Sequence, residues 1–213
     1  MHLFKLTMIY LTAIIACTFL LMMEVPTITV SILLSIYIFG LIMFPQYNIA
    51  LWSNNISKID RFVTKNRTKP TFAYPYAVAH ESLEEQKLGL QKMLNKYKQP
   101  IVQHNYRSVL AALNKDFEGA LAEAKQIPKE PIRSYNIAHT EVFLGNIDAA
   151  KALIPKLTKP WMPHAIEGLI AYEQHDLRTF EKESEAAIAK ARGIQKHVLF
   201  YTFKGRKEHF MVK

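Results

Sequence analysis

NKDFEGALAEAKQIP (residues 114–128), LGNIDAAKALIPKLTKP (144–160) and EQHDLRTFEKESEAAIAKA (173–191) align without gaps at a spacing of 30 residues. Asp116, Asn146 and Asp176 coincide, as do Phe117, Ile147 and Leu177, and ahead of them the small residues Ser108, Ala138 and Gly168. Self-similarity at this period marks stacked helical hairpins, each too small to bury its apolar face alone. The turn chemistry agrees. Gly145 suits a left-handed position after a helix ending at Leu144, and Asn146 is placed to cap the next helix, with Asp116 and Asp176 in the equivalent role. A carboxylate there also meets the positive end of the helix dipole. Ala120, Ala124, Ala149, Ala150 and Ala187 let paired helices approach closely, while Leu113, Leu121, Phe143, Ile154, Leu157 and Ile188 fill the space between layers. Pro131 and Pro160 close the first two units, and Pro163 opens the third.

Outside the repeats, HESLEEQKLGLQKMLNKYKQP carries an apolar stripe through Leu83, Leu90, Met93, Leu94 and Tyr97, which predicts a helix ended by Pro100. Residues 66–79, with two prolines and little periodicity, read as a linker or an irregular strap. The basic, aromatic stretch from residue 193 offers Ile194, Val198, Leu199, Tyr201 and Phe203 for a helix over 193–205 that caps the open end of the stack.

KDFEGALAEAKQI and GNIDAAKALIPKL resemble the turn and second helix of tetratricopeptide repeats, with Ala120 and Ala150 at the recurring alanine. The resemblance spans residues 103–192 as units of about 103–131, 133–160 and 163–192. The period is shorter than the usual ~34 residues, Phe180 stands at the third alanine position, and the aromatic residue early in each first helix is missing. A generic array of helical hairpins is the alternative. The resemblance implies a concave face made by the first helix of each pair, able to hold a protein or peptide partner. Its candidate lining is Asn105, Arg107, Tyr135, Asn136, His139 and Glu167. Three units make a short groove, which the helix at 80–98 or homo-oligomerisation would lengthen.

The first 52 residues are different in kind. No charged side chain occurs from Leu6 to Met23, and after Glu24-Val25-Pro26 a second uncharged run extends from Thr27 to Trp52. At 1.5 Å per residue, two such helices match a hydrocarbon core of about 30 Å. Pro26 breaks helical continuation, so the sequence predicts a transmembrane hairpin with spans at about 6–23 and 27–52. Tyr10, Tyr47 and Trp52 fall near the expected interfaces. No A-x-A cleavage pattern follows the first run. IIAC (14–17) resembles a lipoprotein acylation box, but TFLLMM follows it, and Cys17 is read as a small hydrophobe in a membrane helix.

Lys5 and Glu24 cancel, so the whole net charge of +9 lies after Trp52. Lys58, Arg61, Lys65, Arg67 and Lys69 follow the second run, which by the positive-inside rule places both termini in the cytoplasm of a two-span cell-membrane protein. Interleaved Ile56, Ile59, Phe62 and Val63 predict that these five cations sit on a helix resting on anionic membrane lipids. Because the topology already calls for positive charge here, no nucleic-acid partner is expected.

The fold class expected is therefore all-α: an N-terminal transmembrane helical hairpin, a basic segment at 53–79, and a cytoplasmic α-solenoid of antiparallel helix pairs over 80–213. Motifs for chemistry are missing: there is no HExxH, no Cys-x-x-Cys and no GxxxxGK loop. His164 with Glu167, and His80 with Glu84, share helix faces, yet two ligands do not make a metal site, and they read as surface or cap residues. No catalytic residue, metal or cofactor is expected. The function expected is that of a membrane-anchored adaptor or scaffold. The alternative is an accessory subunit of a transport, secretion or envelope-synthesis complex working through its hairpin.

Overall fold

The three aligned turns close with the same hydrogen bonds. In the computed structural model, which describes residues 2–212, Lys115, Gly145 and His175 are left-handed, with φ of 62°, 81° and 57°. The next N–H in each turn reaches back to a carbonyl five residues earlier: Asp116 to Ala111, Asn146 to Glu141 and Asp176 to Ala171, each at 2.9 Å. This closure satisfies carbonyls that a helix end leaves open. Asp116 Oδ1 then accepts from the Gly119 N–H at 2.9 Å, and Asp176 Oδ1 from the Thr179 N–H at 3.0 Å. Asn146 departs from its expected capping role. Its Nδ2 donates to Glu141 Oε2 at 2.8 Å, so the amide serves a carboxylate on the preceding helix and makes no cap bond.

All regular structure among the described residues is helical. The chain divides into two compact units at Trp52 and Ser53. The first holds α1 (His2–Met22) and α2 (Thr27–Leu51), which pack on each other and bring the hydroxyls of Thr12 and Tyr37 to 2.7 Å. Left-handed Glu24 makes the turn between them, with the Val25 N–H on the Leu20 carbonyl. Apolar side chains point outward all round this unit: Ile14, Phe19, Ile36 and Phe39 are 61–64% exposed. Two transmembrane spans, at about 6–23 and 27–52, were expected here. Among the described residues no single helix is long and apolar enough to cross a membrane; the apolar part of α1 is Thr7–Met22, and α2 bends by 41° between Leu41 and Met43. The two arms of α2 reach that length and apolarity only together. Pro45 accounts for the bend, since it has no N–H for the carbonyl of Leu41, four residues earlier. The side chain of Lys5 lies outside what is described.

The second unit contains α3 (Ile56–Lys65), α4 (Pro70–His80), α5 (Leu83–Lys96), α6 (Pro100–Leu113), α7 (Phe117–Lys125), α8 (Ile132–Phe143), α9 (Ile147–Leu153), α10 (Met162–Glu173), α11 (Leu177–Lys190) and α12 (Gly193–Val212). Each helix from α3 to α8 packs on its successor, α10 packs on α8, and α10, α11 and α12 pack in turn. Ser108, Ala138 and Gly168 on the first helices and Ala120, Ala150 and Phe180 on the second are all buried. Ser108 Oγ donates to the Ala120 carbonyl at 2.9 Å, and a Cβ on Gly168 would sit 3.4 Å from the Ser184 nitrogen. Phe180 replaces an alanine because it turns toward α12, with Phe203 and Phe210 at 5.8 and 5.2 Å between ring centroids.

Three expectations outside the repeats are corrected. Residues 66–79 are not an irregular strap, because most of them form α4: Pro70 occupies its first turn, where no N–H is needed, and Pro75 is buried against the rest of the fold. The small residues of α4 let α5 come so close that a Cβ on Gly89 would lie 2.7 Å from the Tyr74 nitrogen. Nor is the apolar side of α3 free for lipid. Ile59 and Val63 have no exposed surface, and α3 packs on α4 and α12; Lys58, Arg61, Lys65, Arg67 and Lys69 remain exposed on its outer side and the following turn.

The third correction concerns α12. It continues past residue 205 to Val212 and packs on α3 and α4 as well as on α11, so the series of helix contacts returns to its start. The joint is polar. The Gly193 N–H donates to the Ser53 carbonyl at 2.8 Å, Lys196 Nζ donates to Asn54 Oδ1, and His80 Nε2 and His197 Nε2 lie 2.8 and 2.9 Å from Asp60 Oδ1.

Candidate functional site

The inward side of α6 and α8, together with α4 and α12, encloses a cavity of about 500 Å³. That is the scale of small-ligand pockets. Asn105, Tyr135, Asn136 and His139, four of the six residues expected on the concave face, line it. Asn136 Nδ2 donates to Asn105 Oδ1 at 2.9 Å and to the Ile132 carbonyl, so α6 and α8 are tied by a side-chain amide pair. Tyr135 stands edge-on to Trp161 with centroids 5.0 Å apart, and His139 edge-on to Phe143 at 5.1 Å. The wall is therefore aromatic with a few polar groups.

The other two expected residues are elsewhere. Arg107 is exposed, donates to Gln103 Oε1 at 3.0 Å and lies 4.0 Å from Glu123. Glu167 belongs to a second cluster between α10 and α11, where burial and the neighbouring Glu183 carboxyl raise its pKa. In that cluster His164 Nδ1 lies 2.7 Å from Glu183 Oε2 and Lys190 Nζ 2.6 Å from His164 Nε2. Lysine has only donors, so Nε2 accepts and Nδ1–H faces the carboxylate. His164, Glu167 and Glu183 each offer one ligand atom within 4.8 Å of the others. A metal ion there would have to displace Lys190 and sit beside Lys182, whose ammonium is 3.1 Å from Glu183. The same pairing occurs two repeats earlier, where His104 Nδ1 is 2.7 Å from Glu123 Oε2. Recurrence at equal positions in the repeat identifies this pair as a brace between the two helices of a hairpin. His164 and Glu167 are thus interface residues and not surface ones, and His80 joins the Asp60 joint instead of pairing with Glu84.

Burial sets the protonation of the cavity groups. It pushes His139 down to about 3, with the nearby Arg206 charge adding to the effect. It pushes Tyr135 up to about 12 and raises Tyr74 and Tyr106 above the ordinary phenol value. At neutral pH the imidazole and the three phenols carry no charge. Two cations line the cavity: Lys159, which is exposed, and Arg206 on α12, one residue beyond the helix expected over 193–205. The position of Arg206 among Leu199, Phe203 and Phe210, at helical spacing, was the available signal: an arginine in the middle of an apolar stripe.

Family models, curated proteins and solved structures were all compared with the chain, and none matches. The cavity is therefore interpreted from its own chemistry.

Proposed function

We propose that the chain is a membrane-anchored adaptor. In this reading its helical unit is a tetratricopeptide-like α-solenoid that binds a protein or peptide partner, and its apolar N-terminal unit inserts into the bilayer as a hairpin. The observation that carries the binding half is the convergence of Asn105, Tyr135, Asn136 and His139 on one cavity. The membrane half is supported by the outward apolar side chains of α1 and α2, far beyond what a water-facing surface carries, and by the exposed cations at Lys58, Arg61, Lys65, Arg67 and Lys69. Because α4 and α12 share the concave space, a partner enters with a chain end or a protruding side chain, and does not lie along an open groove.

The test compares proteins retrieved from solubilised membranes by the tagged full-length chain, by the Ala112→Phe variant, in which the cavity is filled, and by residues 1–52 alone. The adaptor reading expects the partner set to be lost with Ala112→Phe and absent from the hairpin. Retrieval of the same set by the hairpin alone would transfer the function to the accessory-subunit reading.

A further inference from the structure

Of the two cations that line the cavity, Lys159 is exposed to solvent, whereas Arg206 is half-buried among aromatic rings and no acidic side chain matches it. Its guanidinium lies 5.6 Å from the Tyr172 ring centre, 5.9 Å from Phe143 and 6.0 Å from Phe203. Of the lysines of α12, Lys207 reaches Glu181 at 2.7 Å and Lys196 reaches Asn54, while Lys204 is exposed to solvent. Among the described residues no carboxylate lies within ion-pair distance of Arg206; Glu173 acts on it only at longer range, and Glu173 is exposed. The aromatic faces offset part of the loss of water by attracting the cation to their π-electrons. They accept no N–H in the plane of the guanidinium, so its forked donors stay open toward the cavity.

We propose that this cavity binds a monoanionic carboxylate attached to an apolar or aromatic body, with the carboxylate on Arg206 and the body against Tyr135, Phe143, Trp161 and Val198. The proposal rests on the cavity being the binding site, as in the reading above, and adds the chemistry of what enters. Charge balance favours this class. One guanidinium neutralises one negative charge, and a planar carboxylate takes two parallel N–H donors from it. A phosphate monoester would bring about −1.5 to −2 charges into a wall whose imidazole and phenols are neutral; Lys159, also on the lining, is exposed and already solvated. A fully neutral ligand would leave the guanidinium without an acceptor, which is costly away from water. Two sources supply the same group: a small aryl or alkyl carboxylic acid, or the terminal carboxylate of a peptide ending in an apolar residue.

The experiment is isothermal titration of the full-length protein in detergent micelles with 4-phenylbutyrate, 4-phenylbutyramide, phenyl phosphate, and acetyl-Leu-Phe as the acid and as the amide. At least one acid is expected to bind roughly tenfold or more tightly than its amide, the loss expected for one charge-assisted hydrogen-bond pair, and phenyl phosphate more weakly than that acid. Preference for the phenylbutyrate pair points to a small acid, and for the dipeptide pair to a chain end. Arg206→Met should abolish the acid preference without lowering the thermal midpoint of the ligand-free protein, since it removes a charge that the fold leaves unmatched. Should that variant not fold, Arg206→Lys, which keeps the charge and loses the fork, should weaken the preference several-fold. Equal binding of acid and amide, tighter binding of phenyl phosphate, or an undiminished preference in the arginine variants would overturn the proposal. If no probe binds while Ala112→Phe still loses the retrieved partners, the carboxylate assignment fails and the adaptor reading stands.

Discussion

His197 Nε2 lies 2.9 Å from Asp60 Oδ1 across 137 residues of sequence, and the imidazole has no exposed surface. The same oxygen meets His80 at 2.8 Å, so one carboxylate joins α3, α4 and α12. Replacing Asp60 with Ala removes the acceptor from a buried ring nitrogen. A loss of about 1–3 kcal/mol is expected, measured as a fall in the denaturation midpoint of the solubilised protein, with α12 becoming the most readily cleaved segment in limited proteolysis.

Acid should weaken the same fold. Burial lowers the pKa of His197 despite its bond to Asp60, and burial pushes His139 down to about 3. A histidine depressed in the folded state contributes stability that is complete above its unfolded pKa of roughly 6.5 and declines as pH falls toward the folded value. At Asp60 burial opposes ionisation, but the bonds from His197 and His80 prevail and lower its pKa, so its share is lost only when pH falls below the ordinary aspartate range. The thermal midpoint should decline from pH 7 to pH 5, and His139→Phe should flatten that decline. A midpoint that stays level over this range would show that neither histidine is held neutral by the fold.

The left-handed turns make a prediction of opposite sign. Lys115 and His175 hold φ of 62° and 57°, where Gly145 holds 81°. Side chains with a Cβ resist this region by roughly 1 kcal/mol. Lys115→Gly and His175→Gly should each stabilise by up to that amount, reduced by the greater freedom of glycine in the unfolded chain. Gly145→Ala should destabilise by a similar amount, and denaturant titration reads all three.

At Gly89 the margin is steric. A methyl group there would meet the α4 backbone at 2.7 Å, so Gly89→Ala must separate α4 from α5 and should cost about 1–3 kcal/mol. Because Tyr74 and Pro75 of α4 line the cavity, the variant should also weaken ligand binding.

For the cluster of His164, Glu167 and Glu183, stoichiometric zinc should leave the thermal midpoint unchanged, as both imidazole nitrogens are engaged by Glu183 and Lys190. Glu183→Gln should lower the midpoint with or without metal. A zinc-dependent rise in the wild type would reassign the cluster as a metal site.

What could be read from sequence follows the range of the interactions. The repeats were legible because Gly145, Asp116 and Asp176 act on their own turns within a few residues. The helix over 70–80 was not, because Pro70 and Pro75 signal a break when counted as composition, yet Pro70 stands at the helix start, where no N–H is needed, and Pro75 is buried inside the helix by tertiary packing. The cavity was half legible: Asn105, Tyr135, Asn136 and His139 follow from the register of the first helices, whereas Arg107 and Glu167 occupy nearby positions that turn toward α7 and α11. Arg206 escaped notice because its role depends on where α12 lies, and that is fixed by Asp60 and Ser53, more than a hundred residues away.

The return of α12 to the start of the helical unit bears on how the molecule is made. As the ribosome releases the chain, α3 to α11 can pair with neighbours already synthesised, yet Ile59 and Val63 have no complete cover until the final twenty-residue helix arrives. Ring closure is then a late, long-range event, the kind that slows folding, and a transcript that stops before residue 193 yields stacked hairpins with no chamber inside.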